Sequence, residues 1–227
     1  MDTRQQYERL LKRLPPERFD YEAVFHRILE AERRRHRSVK LVHELSGAEP
    51  RGDRELLAFV GFPEAEPLLW TIDDSLSYGS NRLVPKGGMV KAARLPGDDK
   101  ISTFVFLKCQ EETSPETRNC VLIAVLMHEM GHVDDIERGK HLRFDGPIDI
   151  VAAEEYAHRY ALRRMMRENL RFPLGFLLGS ILKDARLGDE GTVSRESATR
   201  IVESGEYKQF RQFVGDLVNV EETAGVG

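Results

Sequence analysis

Apolar positions in the first third of the chain recur at helical spacing. Residues 2–14 read as a short amphipathic helix stopped by Pro15 and Pro16. A longer helix is predicted next, capped near Asp20, with Val24, Ile28 and Ala31 on one face, running into ERRRHRSVK at 32–40. From about 47 to 112 the period changes. Short apolar runs, PLLWTI, GGMVKAARL and ISTFVFLKC, are separated by glycine and proline and predict strands joined by turns. STFVFLK is apolar on both faces, the pattern of a strand packed between two layers. A third texture begins at TSPETRNCVLIAVLMHEMGH. Ser114 is a good N-cap, Pro115 suits a first helical turn, and Glu116 complements the helix dipole. The loop ERGKHLRFDGP ends that helix. Asp149 can cap the next one, which continues through IVAAEEYAHRYALRRMM. FPLGFLLGSIL reads as a core helix, and the chain beyond Leu182 is helical with breaks at Gly188–Gly191 and Ser204–Gly205. Strands first and helices after predict an α+β fold.

Length and composition narrow the class. The 227 residues suit a single domain spanning 1–227: a helical extension (1–47), a catalytic core (48–187) and C-terminal helices (188–227). A chain 41% apolar and 32% charged is ordinary for a soluble protein, and a net charge of −4 offers no overall attraction to nucleic acid or anionic membrane. The apolar runs are too short to span a bilayer, and the N-terminus lacks the apolar core of a signal peptide. Two cysteines, Cys109 and Cys120, imply no disulfide framework and read as small hydrophobes, so the expected location is a reducing cytoplasm. RRRHR at 33–37 reads as a solvated helix end, and His26, His36 and His43 show no ligand spacing.

Chemistry is concentrated where the apolar run VLIAVLM gives way to His128-Glu129-Met130-Gly131-His132, the pattern H-E-x-x-H. Residues four apart share a helix face about 6 Å from one another, so both imidazoles can reach one ion at about 2 Å. Glu129 lies beside that line, where it can hold a water at the ion and take its proton. Gly131 leaves one helix face bare for a neighbouring backbone. A zinc site of this kind needs a third protein ligand. The metzincin extension is excluded, because Asp135 and Arg138 stand where it requires glycine and histidine. The better candidate is Glu154 in AAEEYAHRYA.

From H-E-x-x-H through this second helix, about residues 101–165, the chain resembles the zincin metallopeptidases of gluzincin type. AHRYA also resembles part of the E-x-E-A-N/D-x-F-A signature of the ImmA/IrrE-type metallopeptidases. His158 stands where that pattern has Asp or Asn, and Tyr156 where it has its second Glu. The resemblance implies a small, mostly antiparallel sheet packed on an active-site helix with flanking N- and C-terminal helices. It implies one zinc per chain held by His128, His132 and Glu154, with Glu129 as general base. Glu155, His158 and His141 remain rivals for the third ligand. Asp135 is placed for a contact to a ligand imidazole, or simply for solvation with Asp134 near the helix end.

The expected activity is hydrolysis of a peptide or protein substrate. His158, Tyr156, His141 and Arg143 are candidates for the donor that stabilises the oxyanion, with His158 taken as the second catalytic residue. Two other readings stand beside it. One is a regulatory zincin-fold protein that cleaves or binds a single partner; the other is a non-enzymatic metal-binding module. An intact glutamate beside an open ligand position argues against the latter.

Overall fold

The computed structural model describes residues 20–44, 52–68, 88–107, 115–143 and 147–215. The predicted helix at 2–14, Ser114, Cys109 and most of PLLWTI lie outside them. The described elements run α1 (Tyr21–Arg35), β1 (Val39–Glu44), α2 (Asp53–Phe59), β2 (Glu66–Pro67), β3 (Gly88–Arg94) and β4 (Ile101–Leu107). The chain continues with α3 (Pro115–Arg138), α4 (Ile150–Arg167), α5 (Arg171–Leu187), α6 (Val193–Val202) and α7 (Gly205–Val214). The fold is α+β.

The sheet is mixed, in the order β1-β4-β3-β2. β3 and β4 form an antiparallel hairpin from Gly88↔Leu107 to Arg94↔Ile101, and β2 adds antiparallel to β3 at Ala93 and Arg94. β1 lies parallel to β4. β4 is therefore interior, and its alternation shows why it is apolar throughout. Val105 and Leu107 face the main core with Val90 and Ala92 of β3, while Phe104 and Phe106 face Leu56 and Leu57 of α2. The larger helices cover one face, and among the described residues α2 covers part of the other.

Two elements depart from expectation. The basic segment after α1 does not stay helical: α1 ends at Arg35, and Val39–Glu44 form β1. β-branched Val39 and Val42 favour extended backbone, but the pairing partner lies some sixty residues on, out of reach of local pattern. The region expected to hold only strands also contains α2, whose Leu56 and Leu57 plug the far side of the sheet.

α3 is the central strut. Cys120, Leu122, Ile123, Ala124, Leu126 and Met127 are all buried, so this stretch is enclosed on every side. Its largest helix–helix interface is with α4. α4 begins as expected, with the Asp149 carboxylate accepting from the Ala152 N–H. α1 joins the same core through Tyr21 and Ile28, capped by Asp20, which accepts from the Ala23 N–H. α5 buries the whole FPLG-x-LL stretch and Ile181–Leu182.

Candidate metal centre

The crossing of α3 and α4 creates the site. A Cβ on Gly131 would lie 2.6 Å from the Ala157 Cα and 2.9 Å from its carbonyl oxygen, so only glycine lets the two backbones meet there. Ala157 supplies the other small surface. With the helices this close, Glu154, one turn before Ala157, is carried directly over the histidine face of α3.

On that face His128 and His132 meet as the helix dictates, with their rings at 90° and Nε2 atoms 3.2 Å apart. Glu154 spans the pair, Oε2 lying 3.3 Å from His128 Nε2 and Oε1 3.3 Å from His132 Nε2. These spacings carry a simple geometric meaning. A tetrahedral ion with bonds of about 2.0–2.1 Å separates its donors by about 3.3 Å. Two imidazoles and a carboxylate thus sit at the vertices such an ion requires, and they are a donor set suited to zinc.

Electrostatics bind the trio together. Burial alone would raise the Glu154 pKa, but the charge and hydrogen bonding of His132 and His128 hold it well below the usual carboxylate value. Burial alone would lower that of His132; the charge and hydrogen bond of Glu154 outweigh it and raise it. The Nδ1 atoms of His128 and His132 are buried with no hydrogen-bond partner among the described residues.

Glu129 is only 5% exposed. Burial raises its pKa; His128 and His132 pull the other way, and the negative charge of Glu154 adds to the rise. Its side chain is held from above by the first residue of β3. A Cβ on Gly88 would come within 2.8 Å of Glu129 Cγ, 2.9 Å of Oε1 and 2.6 Å of Val125 Cγ1. Gly88 was not singled out from sequence. The Gly-Gly that opens GGMVKAARL was the available sign, since glycine at a strand end often marks close approach of another group.

The remaining candidates separate cleanly. Glu155 turns away to Arg159 and Arg200. His141 Nδ1 and its backbone N–H are bonded to Asp135, which also accepts from the Leu142 N–H. Asp135 therefore ties down the loop after α3, and it does not orient a ligand imidazole as the spacing allowed. The Tyr156 hydroxyl donates to Asp134 at 2.5 Å, and Arg143 donates to the carbonyls of Gly139 and Lys140. None of Tyr156, His141 or Arg143 has a described bond to the trio. His158 does reach it. Its Nδ1 is 2.8 Å from the Glu154 carbonyl oxygen, and its ring packs 4.4 Å from that of His128. Burial first, and then the charge of His128, push its pKa down to about 3, so the ring is neutral.

No protein-family model, curated protein or solved structure matches this chain. What the site does must be argued from its own geometry.

Elsewhere, His36 is not the surface residue its spacing suggested. It is 1% exposed and bonded to Glu137, Tyr160 and Glu32. Arg33, Arg34 and Arg37 are exposed, as a solvated helix end requires, and Arg35 rests over the Tyr160 ring. Cys120 is a buried small hydrophobe. Among the described residues, no helix is long and apolar enough to cross a membrane.

Proposed function

We propose that the chain is a zinc-dependent metallopeptidase of gluzincin type, with His128, His132 and Glu154 holding the ion and Glu129 as general base. One observation carries the reading: three donors on two helices converge at 3.2–3.3 Å, with a buried glutamate directly beside them. A bound zinc ion would supply Lewis acidity toward a peptide carbonyl and ease deprotonation of water.

The rest belongs to the chain. Glu129 accepts a proton from the attacking water, whose oxygen bonds to the carbonyl carbon. As the C–N bond breaks, Glu129 returns that proton to the leaving amine nitrogen. A base held by burial above the ordinary carboxylate range is better matched to this two-way transfer near neutral pH than a solvated one. Gly88 keeps the Glu129 side chain aimed by occupying the space behind it.

Substrate has a natural track. β4 is interior and cannot receive a peptide strand. β3 can: β2 pairs only with its Ala93 and Arg94, and Leu68 donates to the Ala92 carbonyl, so among the described residues Gly88–Lys91 have a strand partner on one side only. An extended peptide added there would pass directly over Glu129, with backbone hydrogen bonds supplying affinity.

Purified protein is expected to carry about one zinc per chain by elemental analysis, and the Glu129→Gln variant to keep that zinc while losing peptide cleavage. A fully folded, metal-free preparation that cannot be loaded with zinc overturns the reading. Comparing cleavage products of the wild type with those of Glu129→Gln in a peptide library identifies the substrate class.

A further inference from the structure

His158 is the one side chain at the centre to which the mechanism gives no task. Its state is fixed by its neighbour. The Glu154 carbonyl oxygen can only accept, so His158 Nδ1, 2.8 Å away, carries the proton and donates. Nε2, on the opposite edge of the ring, is the nitrogen left over for a second partner. The Nδ1 proton is thus committed to that carbonyl rather than offered to an oxyanion.

Nor does the ring orient His128. An in-line N–H···N bond of about 2.9 Å between two imidazoles holds their centroids roughly 5 Å apart or more. The observed separation is 4.4 Å with a 55° tilt, a face contact, and His128 Nδ1 has no partner among the described residues. What remains is the place of the ring among the candidate ligands. A donor atom of His158 and donors of His128 and Glu154 all lie within 4.8 Å of one another. That range covers both the roughly 3.3 Å edge of a tetrahedral shell and the wider pairs of a five-coordinate one.

We infer that His158 is a fourth protein ligand, so that His128, His132, Glu154 and His158 together close the coordination shell around the ion. The inference rests on the metal-centre reading above and adds regulation to it. A shell filled by the protein excludes adventitious nucleophiles at rest, and a substrate seated along β3 gains access only when His158 yields its place.

Cobalt substitution tests this without reference to activity, because the visible bands of Co2+ report coordination number and the count of nitrogen donors. Wild type, His158→Phe and His132→Ala are loaded with Co2+, and zinc affinities are measured by competition with a chromophoric chelator. His158→Phe preserves a ring against His128 and removes both donors. The expected result is a weaker-binding variant, by more than the 10–100-fold that loss of an outer-shell partner typically causes. Its cobalt spectrum should shift toward fewer nitrogens and higher coordination. His158→Ala should show the same shift, reversed by added imidazole, and provides the comparison if the Phe variant does not fold. Unchanged cobalt bands and zinc affinity in a folded His158 variant overturn the inference and leave the metal centre standing. Wild-type protein that binds neither ion overturns the reading beneath it.

Discussion

His36 and His132 are each 1% exposed, and both sit against the α3–α4 pair, yet their surroundings are built on opposite plans. Around His36, donors meet acceptors. One ring nitrogen faces Glu137 at 2.8 Å; the other faces Glu32 at 3.2 Å and the Tyr160 hydroxyl at 3.1 Å, and Arg164 closes on Glu32 at 3.1 Å. Ser38 adds two hydrogen bonds to Glu137. The His36 ring, set between two carboxylates, joins α1 to α3 and α4. Around His132, two imidazoles crowd a single carboxylate. Nε2 of one histidine points at Nε2 of the other, and both point at a carboxylate. Burial makes such an arrangement costly unless something positive sits among the donors. The first cluster pairs its charges within the protein; the second holds donors spaced as an ion would space them.

The largest effects should come from the second cluster. Replacing His132 or Glu154 with Ala is expected to abolish zinc retention on dialysis, whereas Glu155→Ala and His36→Gln should keep it, by elemental analysis of folded protein. Zinc lost equally from His36→Gln would erase the distinction between the clusters. Next comes Glu129→Gln, for which peptide cleavage should drop by about 10²–10⁴-fold with zinc content unchanged. Retained cleavage would strip Glu129 of its role.

A smaller effect is expected where the helices cross. Gly131→Ala forces a methyl into the Ala157 backbone and should destabilise the fold by about 1–3 kcal/mol, read as a lower denaturation midpoint, with weaker zinc binding. Gly131→Ala with wild-type stability would mean the helices can separate cheaply.

The smallest is a pH dependence contributed by the first cluster. Burial opposes charge on His36, but hydrogen bonds and charge from Glu32 and Glu137 outweigh it and raise its pKa above 6.5. Its contribution to stability is therefore full below about pH 6.5 and lost as pH rises through the folded value. Burial likewise opposes ionisation of Glu32 and Glu137, while hydrogen bonds from His36, the charge of Arg164 on Glu32 and the bonds of Ser38 to Glu137 take both below 4.5. Their contribution is present above about pH 4.5 and lost as pH falls through the folded values. Melting temperature of the metal-free protein should thus decline as pH rises above about 6.5. His36→Gln should flatten that decline, and an unaltered slope would place its origin elsewhere.

Much of this was legible in the chain because the relevant rules are local. The Asp20 and Asp149 caps, the break of α5 at Gly188 and the strand character of 88–94 and 101–107 follow from residues within a few positions of one another. The bare face at Gly131 was readable too, although not what would fill it. The segments misread are those stabilised at a distance. β1 looks like the basic tail of a helix until β4 pairs with it, and α2 is a seven-residue helix whose worth lies in covering Phe104 and Phe106. His36 looked like a surface residue because its partners Glu137 and Tyr160 are more than a hundred positions away.

By itself, then, the sequence determined that His128, Glu129 and His132 share one helix in their working order, since 3.6 residues per turn places i and i+4 together in any context. Tertiary structure alone decided that Glu154 rather than Glu155 faces them, that Gly88 backs Glu129, and that the His158 ring lies against His128. Those outcomes depend on where two helices and a strand cross. A crossing is set by the packing of whole surfaces, here the contact of Gly131 with Ala157, and no local window of residues contains it.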